Sequence, residues 1–290
     1  MIAADIAITG LIVGGVYSLI AIGLTLQYGV ARILNLAYGE TFVASAFGAY
    51  WLYDSLSMSP LVGLVVILPA AFIVNWLIYS FLLTPLVRRA ANRDALEVDS
   101  ILFTFGLLFV VQGVLLVIFG GQYYSYSYLA VPLDFLGSVV PVNRLIAFGV
   151  AVALGLVLYL LLVRSRIGTA VRAVAVDPRS ASLVAINVRS VSALAFAVGG
   201  TLCAAGGALI SMFYTFNASM GVAFTMKALI VVIMGGVGNV LGALVAGLLL
   251  GVAETSVSRL IDPGLTLAAT FLLFILVLLV RPTGLFGRSS

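Results

Sequence analysis

KALIVVIMGGVGNVLGALVAGLLLGVAETSVS, residues 227–258, is the stretch on which the count of membrane crossings turns. It is apolar almost throughout and is broken by Gly235, Gly236, Val237, Gly238 and Asn239. A helix needs about 20 apolar residues to cross a bilayer. The arm before the glycines is too short for that, and the arm after them is long enough. Two readings fit: a short re-entrant helix, a tight glycine turn and a longer returning helix, or two ordinary tilted spans. The first is adopted as the working expectation. Broken backbone at membrane depth is tolerated where it is buried in protein or lines a cavity, and such breaks point to transport pathways. Gly238 and Gly242 make one small-residue pair at four-residue spacing, and Gly247 and Gly251 another, the pattern of close helix contact.

Composition sets the class around this stretch. The 290 residues are 63% hydrophobic and 8% charged, with mean hydropathy +1.28. Soluble domains have about 45–50% apolar and about 25% charged residues. The expectation is an all-α polytopic transmembrane bundle forming one domain over residues 1–290, with about eight membrane segments including the re-entrant helix. Hydropathy places the others at 5–27, 34–53, 61–86, 101–119, 145–163, 191–213 and 265–280. The N-terminal stretch lacks a basic region, so it reads as a retained first span rather than a signal peptide. The ends, MIAA and GRSS, carry no covalent anchor motif. There is no histidine, and the single cysteine, Cys203, lies in an apolar run. Cys/His metal sites, haem ligation and His-based triads are therefore excluded. No Walker motif, GxSxG or HExxH is present, so the chain does not itself hydrolyse ATP.

Charge orients the bundle. Arg88, Arg89 and Arg93 follow the third span, Arg164, Arg166, Arg172, Arg179 and Arg189 the fifth, and Arg281 and Arg288 the last. With alternating spans these all fall on one side. The positive-inside rule makes that side cytoplasmic, with the N-terminus outside and the C-terminus inside a bacterial inner membrane. The net charge of +4 reflects this bias and not nucleic-acid binding. The loop 120–143 has no Lys or Arg and is rich in tyrosine, as an interfacial lip on the opposite face would be.

Three groups of residues are candidates for function. The first is NLAYGE, Asn35–Glu40, with Tyr38 and Gly39. An acidic group at mid-bilayer costs about 2.5–3.5 kcal/mol on insertion scales, so Glu40 faces protein or water. It is either a pathway element or an interfacial carboxylate paired with Arg32. Tyr38 either lines the path or packs on the first span. The second is the basic segment 164–190. Asp177 is a strong N-cap and Pro178 a favoured first helical residue. The helix they start carries Ala181, Leu183, Val184 and Ile186 on its apolar face, with Asn187 as a left-handed terminator. This amphipathic helix either docks in a partner's groove or lies on anionic lipid. The third is the glycine turn Gly235, Gly236, Gly238 and Asn239. The other intramembrane polar residues, Asn75, Gln112, Asn217 and Glu254, read as helix–helix hydrogen bonds.

The stretches 14–40, 166–188, 228–251 and the terminal RPTGLFG together resemble the branched-chain amino-acid ABC transporter permeases, most nearly the H-type subunit. The resemblance runs in order over essentially the whole chain. It implies a heterodimer with a second, M-type permease. Two cytoplasmic ATPase subunits would bind the ATP, an external binding protein would deliver the solute, and this chain would hold no cofactor or metal of its own. It implies that Asp177, Pro178, Ala181, Leu183 and Asn187 couple to the ATPases. It also places Asn35, Tyr38, Gly39, Glu40 and the glycine turn along the translocation path. The family's usual N-F-A-H-G-E has Tyr38 in place of His here, and its G-G-x-G-S has Asn239 in place of Ser. Relatives also carry urea, short amides and aromatic acids. A stand-alone secondary transporter or channel is the alternative from another class.

Overall fold

The computed structural model describes residues 2–89, 92–135 and 138–287. Arg288 and the side chain of Arg93 lie outside the described residues. Helix α1, Ile2–Leu26, continues into a π-helical turn, Gln27–Ala31. After an irregular stretch come α2, Tyr38–Leu56, and α3, Pro60–Leu77. A second π turn, Ile78–Leu83, joins α3 to α4, Thr84–Arg89. Helix α5 is Arg93–Phe119. A small antiparallel hairpin follows, β1 Pro132–Phe135 and β2 Ser138–Pro141, in register Pro132 with Pro141. Then come α6, Val142–Arg164, α7, Arg166–Val176, and α8, Pro178–Leu183. The chain ends with α9, Val188–Ile210, α10, Gly221–Gly235, α11, Val240–Leu260, and α12, Thr266–Val280.

This is a multi-pass helical membrane protein. Among the described residues seven helices are long and apolar enough to cross a bilayer. The expected order short helix, turn, long helix appears as α10 with 15 residues and α11 with 21. Three sequence expectations are corrected in detail. The loop 120–143 contains the β-hairpin, which the all-α reading did not foresee. Helix α5 starts at Arg93 rather than near 101, because Asn92 caps it, its side chain accepting from Ala95 N at 2.8 Å. Gly238 and Gly242 do not share a helix face, since Gly238 lies in the turn at φ 80°.

The core is built from α1, α9 and α2. Gly10 and Gly14 of α1 lie directly on the backbone of Val252 and Leu248 of α11, so the two helices touch main chain to main chain. Ser18 Oγ donates across this seam to Leu244 O at 2.8 Å. In hydrocarbon, close approach of this kind replaces the hydrophobic drive that water would give. Helices α3, α5, α6 and α12 form the outer shell and expose Val65, Leu102, Val117 and Leu279 among other apolar side chains. That outward apolar surface is what lipid requires.

Candidate functional site

At the heart of the bundle two helices begin part-way through it. Helix α1 ends where Arg32 adopts a left-handed conformation, φ 54°, and the chain turns back inward. Residues 33–37 are irregular, so their polar groups need partners that lipid cannot supply. Side chains provide them. Asn35 Nδ2 donates to Gln27 Oε1 at 3.2 Å, and Gln27 Nε2 donates to Phe196 O at 2.8 Å. Leu36 N donates to Thr104 Oγ1 at 3.1 Å, and Thr225 Oγ1 accepts from Gly39 N at 2.8 Å. Helix α10 likewise starts after an irregular stretch, 211–220, and its first residue, Gly221, meets the start of α2. A β-carbon on Gly39 would overlap the carbonyl oxygen of Gly221, so the two helix starts meet only through glycine.

Glu40 is 1% exposed, and neither carboxylate oxygen has a hydrogen-bond partner among the described residues. Its carboxylate rests against Gly221, at the positive end of α10. The alternative pairing with Arg32 is not present: Arg32 Nη2 donates instead to Ala175 O of α7 at 3.0 Å. A cavity of about 270 Å³ runs along α2 beside α3 and α5, with Asn35, Glu40, Thr41, Ser45 and Asn75 in its wall. Asn35 Oδ1 is also buried without a partner. Asn35 and Glu40 thus come together as the sequence suggests, and Gly39 faces α10. Tyr38 does not join them. It is fully buried, with its hydroxyl shared between Ile20 O at 2.7 Å and Gly199 O at 3.1 Å, a strut between α1 and α9.

The glycine turn lies elsewhere, at the end of the bundle that carries the arginines. Gly236, φ 100°, and Gly238, φ 80°, take left-handed conformations that favour glycine. Asn239 caps α11, its Oδ1 accepting from Gly242 N at 3.0 Å, while its Nδ2 donates to Phe286 O at 3.1 Å. Serine would cap as well, but it would not supply this second contact. Leu285 N and Phe286 N donate to Met234 O and Gly235 O at 2.8 and 3.2 Å, so the RPTGLFG terminus clamps the turn. Val237 and Gly238 share a cavity of about 560 Å³ with Arg32 and Arg172. The candidate pathway residues therefore form two groups, one at mid-bundle and one at the basic end.

In the segment 164–190, Asp177 caps α8 as read, accepting from Arg179 N at 2.9 Å, with Pro178 at its first position. The helix is shorter than read. It stops at Leu183, and the left-handed residue is Ala185, φ 61°. Asn187 is not a terminator: its Oδ1 accepts from Ser190 N at 3.1 Å and caps α9. Asparagine suits both roles, and residues 188–190 turning at once into α9 decide the matter. The apolar face also divides. Ala181 is 4% exposed and packs inward, whereas Leu183 is 86% and Val184 69% exposed.

Glu254 bonds between helices as the sequence suggests, but the cluster it forms with Lys227 was not foreseen. Lys227 Nζ of α10 lies 2.9 Å from Glu254 Oε2 of α11 and donates to Tyr17 OH of α1 at 2.9 Å. Tyr17 OH in turn donates to Glu254 Oε2 at 2.8 Å, and Thr270 of α12 donates to Glu254 Oε1. Four helices are joined by this network. Its signal was present as two ionisable residues of opposite sign in apolar helices, each of which needs a partner.

A bundle of this kind, with irregular backbone and an unpaired carboxylate at its centre, has the architecture of a membrane permease. The chain belongs to the family described as the branched-chain amino acid transport system permease component, which it matches over residues 6–280. It is 31% identical to the high-affinity branched-chain amino acid transport system permease protein LivH of Salmonella typhimurium, over 97% of this chain and 94% of that protein. It is also 31% identical to the corresponding permease protein BraD of Pseudomonas aeruginosa, over 98% and 95%. A fold likeness extends to PsaBC from Streptococcus pneumoniae in complex with Fab, with TM-score 0.50 and 11% identity, covering 96% of this chain and 92% of that chain.

Proposed function

We propose that this chain is one permease subunit of an ATP-driven importer for branched-chain amino acids or closely related small polar solutes. It pairs with a second permease, is driven by two cytoplasmic ATPase subunits and receives solute from an external binding protein. The basic end is cytoplasmic and the tyrosine-lined end external, with the N-terminus outside. In this reading α10 is the short re-entrant element, and the α2–α10 junction with Asn35 and Glu40 borders the path. A movement of α8 is carried through α7 and the Arg32 contact to the end of α1, and so to that junction.

The observation that carries the reading is Leu183, the last residue of the capped helix α8, and Val184 just after it, exposed at 86% and 69% on the segment that carries Arg179. An apolar tip on a capped helix that also carries an arginine fits a groove in a partner protein. Leu183→Asp tests it. The variant should insert and fold as wild type, because the side chain touches little of its own chain, yet lose co-purification of the ATPases. Ala181→Asp should instead damage the subunit, since it buries a charge. Unchanged ATPase association in Leu183→Asp would remove α8 from the coupling role.

A further inference from the structure

At the end of the bundle opposite the arginine clusters, three segments close around a cavity of about 250 Å³. They are the tyrosine loop near Ser125, the first turn of α6, and the connection after α9. The walls are fixed to one another. Tyr124 and Phe216 exchange backbone hydrogen bonds at 2.8 and 2.9 Å. Asn143 Nδ2 donates to Met212 O at 3.0 Å, and the hydroxyls of Tyr126 and Ser211 are 2.8 Å apart.

Arg144 lines this cavity. Its guanidinium lies over the Phe213 ring, 5.7 Å from the centroid. Its Nε is buried without a hydrogen-bond partner. Among the described residues no carboxylate stands within ion-pair distance, and no hydrogen bond uses its terminal nitrogens. Arg259, the other arginine at this end, is by contrast paired with Asp5 at 3.6 Å. Asn143 Oδ1, in the same wall, is also buried and unpartnered. The remaining polar side chains of the lining are hydroxyls: Ser125, Tyr126, Ser127, Tyr214 and Thr215.

An arginine with unused donors in a half-buried niche is costly to keep. Its planar fork matches an oxyanion, a carboxylate or a phosphate, held by two parallel hydrogen bonds, and of the two an amino-acid solute offers the carboxylate. The Phe213 face holds the guanidinium plane in place. We propose that this cavity is a reception site for the carboxylate of the transported solute. Arg144 grips the carboxylate, and the hydroxyls and Asn143 Oδ1 satisfy the rest of a zwitterionic head group as it leaves the binding protein. The inference rests on the reading of the chain as an importer permease with this end outward.

The test uses the assembled importer in proteoliposomes, with labelled leucine delivered by its binding protein at increasing concentration. Arg144→Gln should lower the maximal uptake rate by about 10- to 100-fold, the equivalent of one hydrogen bond to a charged group. The half-saturating concentration of binding protein should stay unchanged. Arg144→Lys, which keeps the charge but not the fork, should fall between the two and serves if the glutamine variant does not assemble. A raised half-saturation at unchanged maximal rate would assign Arg144 to docking of the binding protein and overturn the proposal. So would wild-type kinetics in both variants. If the wild-type importer carries another solute and not leucine, the substrate reading fails, and Arg144 is tested on whichever solute the binding protein delivers.

Discussion

Replacing Glu254 with leucine should be among the most damaging single changes in this protein. It leaves Lys227 as a charge between α1, α10 and α11 with only Tyr17 OH, at 2.9 Å, as a hydrogen-bond partner. The two side chains are 17% and 7% exposed, so water cannot take over the lost role. Breaking a buried pair by removing one partner costs about 3–5 kcal/mol. The aromatic faces of Tyr17 and Phe224, with centroids 4.8 and 5.8 Å from Nζ, offset part of this. Lys227→Met should cost less, because Glu254 keeps the hydroxyls of Tyr17 and Thr270. The double variant Lys227→Met/Glu254→Leu removes both charges. Its cost should be about 1–3 kcal/mol, the desolvation of a Tyr17 hydroxyl left without an acceptor. The double variant is thus expected to be more stable than Glu254→Leu alone by roughly 2 kcal/mol, a coupling that a double-mutant cycle isolates. The assay is unfolding of the purified subunit in mixed lipid–detergent micelles. If the two single costs simply add in the double variant, the network is not a coupled unit and the reasoning fails.

Other consequences are open to the same kind of measurement. Gly39→Ala forces the starts of α2 and α10 apart and should cost about 1–3 kcal/mol as overpacking, seen as a lowered melting temperature; wild-type melting would mean that the junction yields freely. Tyr38→Phe removes the hydroxyl that reaches Ile20 O and Gly199 O and should cost about 1 kcal/mol without changing which solute is carried. A changed solute preference in that variant would return Tyr38 to the path. Ser125 and Ser182 are both exposed. In intact cells Ser125→Cys should react with a membrane-impermeant thiol reagent and Ser182→Cys should not, and the reverse pattern would invert the orientation.

Much of the bundle was legible because lipid imposes a coarse rule, long apolar runs punctuated by arginine and glycine. The glycine turn at 235–239, the Asp177–Pro178 helix start and the placement of Glu40 inside protein rather than against lipid all follow from residues that are costly or special where they stand. What the sequence hid depends on distant partners. The run QYGVARILNLAYGE marks the end of the first span near 27, but not the irregular course from Arg32 to Ala37, which Thr104 and Thr225 of other helices support. Tyr38 could line the path or pack on the first span, and only its bonds to Ile20 O and Gly199 O favour packing. The tie between Lys227 and Glu254 spans 27 positions and two helices, so periodicity could not reveal it. Asn187 shows a simpler limit: asparagine both ends and begins helices, and only the chain that follows decides which.

The central claim is ATP-driven import through this chain, and reconstitution tests it most directly. The subunit is placed in proteoliposomes with its second permease and ATPases, and uptake of labelled leucine from its loaded binding protein is followed with and without ATP. The account predicts uptake that requires ATP, the ATPases and the binding protein together. Uptake by the chain alone, driven by an ion gradient and indifferent to ATP, would contradict it and identify a secondary transporter instead.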